Sequence, residues 1–199
     1  MTQGERTHET SARDQLLDVA ERHFAARGFS AVTIKDIAQD LGIRQPSIYY
    51  HVPGGKEDLY REVMIRHMER HREGVEAALA EADDSLESRL NRVGLWMLSR
   101  PPLDNEHVMK TDFPELSSAV VKQMEASFER CVFAPMERVF LKAHERGLLR
   151  HADARVLARM FFALMQSLSA SRKYWQRHTD AGHVVGGAID IFLHGVLKN

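Results

Sequence analysis

The stretch Arg44-Gln45-Pro46-Ser47-Ile48-Tyr49-Tyr50-His51 gathers side chains suited to nucleic-acid recognition. A glutamine can contact adenine in bidentate fashion, and a serine donates or accepts at a base edge or a phosphate. Tyrosine hydroxyls reach phosphate oxygens while their rings pack on sugars or thymine methyls. A short core helix would carry several apolar positions, yet here Ile48 and Val52, four apart, supply the whole inward seam. Gln45, Ser47, Tyr49, Tyr50 and His51 are therefore expected to face outward. Lys56 and the first amides of the helix it opens could clamp a flanking phosphate. The composition of this segment alone fits equally well a solvated short helix whose tyrosine pair packs on the core.

Side chains of this kind need a rigid support, and the flanking sequence carries signals for one. Ser11 stands three before Asp14, a capping-box spacing, and Ala12, Leu16, Ala20 and Phe24 follow as one apolar stripe until Arg27 and Gly28 stop the helix. Thr33 and Asp36 repeat the box ahead of Ile34, Ile37, Ala38 and Leu41, and Gly42 closes that segment. Pro46 has the fixed φ favoured at a first helical position, and Pro53-Gly54-Gly55 ends the next short helix after Val52. A long helix, a short helix, a tight turn and a second short helix make helix-turn-helix geometry. Beyond it the spacing predicts a long helix from about Lys56 to Ala82, with Leu59, Val63, Val75 and Leu79 inward. Further helices are expected at about 85–100, 106–112, 115–147, 152–177 and 180–197, with Pro135 kinking or splitting the one it occupies.

The whole chain sets bounds on these expectations. Its 199 residues are 44% hydrophobic and 28% charged, the make-up of an ordinary folded protein of one or two domains. Sparse Gly and Pro and apolar spacings of three to four give an all-α class. The net charge is −1, and residues 1–56 balance seven Lys/Arg against seven Asp/Glu, so any pull on nucleic acid must be local. A small basic window does exist: Arg44, His51 and Lys56 with no acid between Leu41 and Lys56. No apolar run approaches the ~20 residues needed to span a bilayer, and the polar first fifteen residues carry no signal-peptide core. A lone Cys131 cannot form an internal disulfide. The expected location is cytoplasmic, with no membrane partner.

Taken together, Phe24-Ala25-Ala26-Arg27-Gly28-Phe29, Thr33-Ile34-Lys35-Asp36-Ile37-Ala38, Leu41-Gly42-Ile43, Ser47-Ile48-Tyr49-Tyr50-His51 and Lys56-Glu57-Asp58-Leu59 resemble the amino-terminal signature of the TetR family of bacterial transcriptional regulators. The segment Gln45–Val52 is most similar to the reading helix of that family's tetracycline-repressor branch. The resemblance covers about a quarter of the chain. It implies Thr33 and Lys35 on phosphates, Gln45, Pro46 and Ser47 reading bases, Tyr49, Tyr50 and His51 on backbone and groove wall, and Lys56 on the flanking phosphate. Two departures stand out. Arg44 replaces an acidic or small residue, a change that would add a guanine or phosphate contact. Pro53-Gly54-Gly55 replaces a shorter polar linker and bears on where Lys56 sits.

Residues 1–56 are thus expected to form a DNA-binding head, with residues 1–10 a flexible arm, and residues 57–199 a helical body for ligand binding and dimerisation. In the body, Val156, Met160 and Leu164 with Val184, Ala188 and Phe192 lie on two apolar helices, with Gly186, Gly187 and Gly195 permitting close approach. Two such helices per subunit would build a four-helix dimer interface, as the resemblance implies. They would serve equally as core helices of a monomer. Effector-site candidates are bulky and soft: Trp96, Met97, Met109, Phe113, Met124, Phe128, Phe161, Met165 and Trp175, with His107 and Asp112 as polar anchors. The expected partners are double-stranded operator DNA, a largely apolar small-molecule effector and a second copy of the chain.

No cofactor, metal or catalytic centre is expected. His67 and His71 lie four apart on one helix face, a two-ligand zinc geometry without an evident third ligand. His144-Glu145 begins like a zinc-protease motif but meets Leu148 where a second histidine is required. The alternative function is a helical small-molecule or metal-responsive binding protein, or a metal-dependent enzyme on the same bundle, whose head does not bind DNA.

Overall fold

The computed structural model describes residues 12–100, 108–149 and 153–196. Ser11, His107, Pro101-Pro102 and the expected arm lie outside the described residues. Every regular element among the described residues is helical. No described helix is long and apolar enough to cross a membrane.

The chain divides into two compact units, one drawn from residues 1–67 and 104–124 and the other from 68–103 and 125–199. In the first, α1 (Ala12–Ala31) is interrupted at Gly28, whose φ of 72° leaves the helical region before Phe29 turns back into the core. Leu16, Ala20 and Phe24 of the expected stripe are buried, whereas Ala12 is exposed because it opens the helix. α2 (Ile34–Asp40) begins with the predicted capping box: the Thr33 hydroxyl accepts from the Asp36 amide at 3.2 Å, and the Asp36 carboxylate accepts from the Thr33 amide at 2.9 Å. It ends in a Schellman turn. The Gly42 amide donates to the Gln39 carbonyl and the Ile43 amide to the Ala38 carbonyl, with Gly42 at φ 65°. α3 (Gln45–His51) follows at once, with Pro46 in its first turn and Val52 as its carboxy-terminal cap.

α4 (Gly55–Ala80) gives its first half to this unit, where Leu59, Tyr60, Val63 and Met64 are buried. The rings of Phe24, Phe29 and Tyr60 form one aromatic group, with Tyr60 edge-on to both phenylalanines at 5.0 and 5.1 Å. Ion pairs Arg13–Glu62 at 2.7 Å and Arg66–Asp18 at 2.5 Å tie α1 to α4 along the rim. A π-helical turn (Val108–Asp112) stands in place of the α-helix expected at about 106–112, and a 3-10 turn (Phe113–Glu115) with Pro114 near its start follows it.

The second unit contains α5 (Leu86–Ser99), the end of α6 (Ser118–Phe128), α7 (Ala134–Glu145), α8 (Ala154–Ala170), the short α9 (Arg172–Trp175) and α10 (Ala181–Val196). The helix expected over 115–147 is split just ahead of Pro135, which stands in the first turn of α7. A π-helical turn, Glu129–Phe133, precedes it, so α6 runs on into α7 without a loop. The expected single helix over 152–177 ends instead at Ala170, and Ser171 caps it. Leu90, Val93, Phe140, Leu157, Phe161, Met165, Val185 and Ile189 form the core of this unit. Gly94 permits the close packing of α5: a Cβ there would lie 2.8 Å from Val185 and 2.9 Å from Met165.

Candidate nucleic-acid interface

In α3 the side chains divide by face. Ile48 is fully buried and Val52 nearly so, anchoring the helix, while Arg44, Gln45, Pro46 and Ser47 are exposed. Tyr49 is 42% and Tyr50 86% exposed, with the His51 ring edge-on to Tyr50 at 5.5 Å. An 86% exposed tyrosine gains nothing from burial in its own chain, so its phenol is free to meet a partner. Thr33 and Lys35, at the start of α2, are exposed as well. Arg44 occupies the N-cap position of α3 without a side-chain cap bond, leaving its guanidinium outside the helix.

Lys56 is placed differently from a free phosphate clamp. Its ammonium stands 4.1 Å over the Phe29 ring and 3.4 Å from the Ser30 carbonyl oxygen, and partial burial holds its pKa below the ordinary lysine value. The α1–α2 corner is braced by polar contacts: His23 bonds Asp40 at 2.7 Å, and Arg27 bonds the other His23 nitrogen and lies 3.5 Å from Asp36. Asp112, expected in a body loop, is instead buried within this first unit.

The effector candidates fall into separate places. Met109, Phe113 and Met124 belong to the first unit, with Met109 56% exposed and Met124 fully buried. In the second unit Phe161 and Met165 are fully buried and Met97 nearly so, all three in the core. Trp175 packs on that core and donates its indole N–H to the Leu168 carbonyl at 2.7 Å. Trp96 and Phe128 belong to a group of half-buried rings. His71 lies 5.1 Å from Trp96 and 6.2 Å from Phe162, and Phe162, Phe128 and Phe133 meet edge-on at 5.2 to 5.9 Å. The Arg159 guanidinium covers Phe133 at 4.6 Å. Phe133 and Phe162 escaped the sequence reading, and His71 entered it only as a possible zinc ligand beside His67. Phe162 is adjacent to Phe161, and a spacing of one on a helix turns a side chain by about 100°, which separates the two faces. A small cleft of about 70 Å³ opens elsewhere on this unit between Leu86, Val139, Ala143 and a rim of Arg89, Lys142, Arg146 and Asp84; none of the sequence-predicted effector residues lines it.

Of the interface candidates, Val156 and Met160 are each 51% exposed, one turn apart on α8. Leu164, Val184 and Ala188 are half-buried. Phe192 leans inward toward Phe140 and Phe161, whereas its neighbour Ile191 is 76% exposed. His67 lies 3.3 Å from Glu21, and among the described residues no three His, Cys, Asp or Glu side chains gather as a metal site.

Residues 16–63 match the amino-terminal domain model of the bacterial regulatory proteins of the tetR family. The transcriptional repressor KstR2 of Mycobacterium tuberculosis is 29% identical over 123 residues, 59% of this chain and 57% of that protein, so the chain spans little more than half the length of this relative. The transcriptional activator FasR of Mycolicibacterium smegmatis is 25% identical over 97% of this chain and 86% of that protein. A crystallised candidate transcriptional regulator from Saccharomonospora viridis, in complex with choline, is 26% identical, covers 94% of this chain and 98% of that one, and superposes with a TM-score of 0.71. A helix-turn-helix head joined to a helical body defines a class of regulator. By these likenesses the chain resembles regulators of the TetR family, most directly over residues 16–63.

Proposed function

We propose that this protein is a ligand-responsive, DNA-binding transcriptional regulator of the cytoplasm, a repressor that holds a pseudo-palindromic operator as a dimer and leaves it when a small molecule binds. The observation that carries this reading is α3: Ile48 fully buried beneath it, and Gln45, Ser47, Tyr49 and Tyr50 exposed above. Gln45, Pro46 and Ser47 read base edges, with Arg44 beside them, while Thr33, Lys35, Tyr49, Tyr50 and His51 hold the backbone. Lys56, stacked on Phe29, contributes positive potential near the flanking phosphate rather than a direct clamp. This reading surface lies within residues 1–56, and residues 57–199 carry effector binding and dimerisation.

A dimer explains how one short helix gains specificity. Two reading helices entering successive major grooves ~34–36 Å apart require a two-fold related operator. The exposed Val156, Met160 and Ile191 are the apolar surface on which a second copy would pack. The effector, largely apolar, is taken by the rings of Trp96, Phe128, Phe133 and Phe162, and the choline complex of the Saccharomonospora relative supports a small-molecule role for such a body. Release follows if the effector binds the DNA-incompetent arrangement more tightly.

Activation is the second reading, favoured by the alignment with the activator FasR along 97% of the chain. A promoter fusion with and without the protein separates the two by the sign of the change. DNA binding itself is tested with the full chain: Gln45→Ala and Tyr49→Ala should each weaken specific binding by ~1–3 kcal/mol. Unchanged binding in both variants would point to the alternative of a ligand-binding protein with an idle head.

A further inference from the structure

Within the first unit, a carboxylate from far along the chain is buried against the reading head. Asp112 is 2% exposed. Its Oδ1 accepts from the Phe29 amide at 2.9 Å and its Oδ2 accepts from the Tyr60 hydroxyl at 2.5 Å, across 83 and 52 sequence positions. Three segments therefore meet on one side chain: the end of α1 just past the Gly28 break, the early turns of α4, and the end of the π-helical turn. Adjacent contacts repeat the pattern, since the Ser117 amide donates to the Glu57 carboxylate. Burial and the bond to Asp112 push the Tyr60 phenol well above its ordinary pKa, so it remains a donor at any working pH.

An apolar residue would fill this space without the cost of burying a charge. What a carboxylate adds is direction: two charge-assisted bonds fix a backbone amide and a phenol at set angles. The amide it fixes is four residues before Thr33, the N-cap of α2, so the Phe29 contact governs where the helix-turn-helix begins. We infer that Asp112 is a positioning residue for DNA reading: its carboxylate holds the α1–α2 corner against α4 and so sets the place from which α2 and α3 address the duplex. This rests on the DNA-binding reading above.

The test measures the affinity of the full chain for its operator and for random duplex, with wild type, Asp112→Ala, Asp112→Asn, Tyr60→Phe, and Val139→Ala as a control in the core of the second unit. Asp112→Ala strands two buried donors and should lower operator affinity about tenfold or more. Asp112→Asn keeps an acceptor for the Phe29 amide and should recover to within about threefold of wild type. Hydrogen exchange at the Phe29 amide should quicken in Asp112→Ala and stay slow in Asp112→Asn. Val139→Ala should lower the melting temperature while leaving operator affinity within about twofold. Wild-type affinity in Asp112→Ala, or an equal loss in Val139→Ala, would overturn the positioning role. Should Asp112→Ala fail to fold, Tyr60→Phe decides: a loss of about threefold or more at unchanged melting temperature supports the role, and unchanged affinity defeats it. If wild type itself shows no preference for any duplex, the DNA-binding reading fails, a result distinct from wild-type affinity in the variants.

Discussion

The Tyr49 ring rests against Gly55: a Cβ added at Gly55 would lie 3.4 Å from Tyr49 Cε1, and Gly55 holds φ at +72°. A methyl group there would meet the ring at ordinary van der Waals distance, so it is the left-handed backbone that calls for glycine at the start of α4. Its neighbour Gly54 is far more confined, with a Cβ there falling 2.7 Å from Asp58. The linker Pro53-Gly54-Gly55 therefore does more than end a helix. Gly55→Ala should cost about 1–2 kcal/mol of stability through its left-handed backbone, read as a shifted denaturant midpoint at constant slope.

Tyr50 separates binding from stability. At 86% exposure its removal should change stability by no more than about 0.5 kcal/mol. Tyr50→Ala should nevertheless weaken binding to all duplexes alike, as loss of a backbone contact does. Parallel melting curves and binding titrations check this, and a sequence-dependent loss would instead assign Tyr50 to base reading.

Acid should act on the α2 cap. The backbone amide and hydroxyl of Thr33, helped by Arg27, hold the Asp36 carboxyl below its ordinary pKa. A depressed folded value contributes stability in full above the unfolded value of about 3.9, and that contribution disappears as pH falls through the folded value. Wild type should therefore lose more stability than Asp36→Asn between neutral pH and the acid limb, and the two curves should run parallel above about pH 5.

Assembly should depend on the exposed apolar residues of α8 and α10. Met160→Glu and Ile191→Glu place a charge where a partner copy would pack, at positions whose exposure spares the monomer fold. Sedimentation should show monomers at micromolar concentration, with operator affinity down about a hundredfold or more because two half-sites are no longer held together. A dimer unmoved by both changes would place the interface elsewhere.

Local signals were the readable ones. The Thr33–Asp36 box, the Gly42 turn and Pro46 in the first turn of α3 each depend on residues within a few positions, and each stands as expected. Contacts set by distant segments were not readable. Nothing near Asp112 announces Phe29 or Tyr60, and only the folded chain brings 108–124 beside the head. Side-chain direction was the other blind spot. Phe161 and Phe162 are equivalent in type, yet one fills the core and the other joins the rings around Phe133. The π-helical turn at Glu129–Phe133 inserts an extra residue into the helical phase, so simple spacing misplaces what flanks it.

Selection of bound duplex from a random pool by the full chain tests the central claim most directly. The account predicts enrichment of one pseudo-palindrome whose half-site centres lie one helical turn or a multiple of it apart, with affinity falling about 10³–10⁵-fold between 50 and 200 mM salt. A pool that stays random after repeated rounds, with binding indifferent to salt, would contradict it.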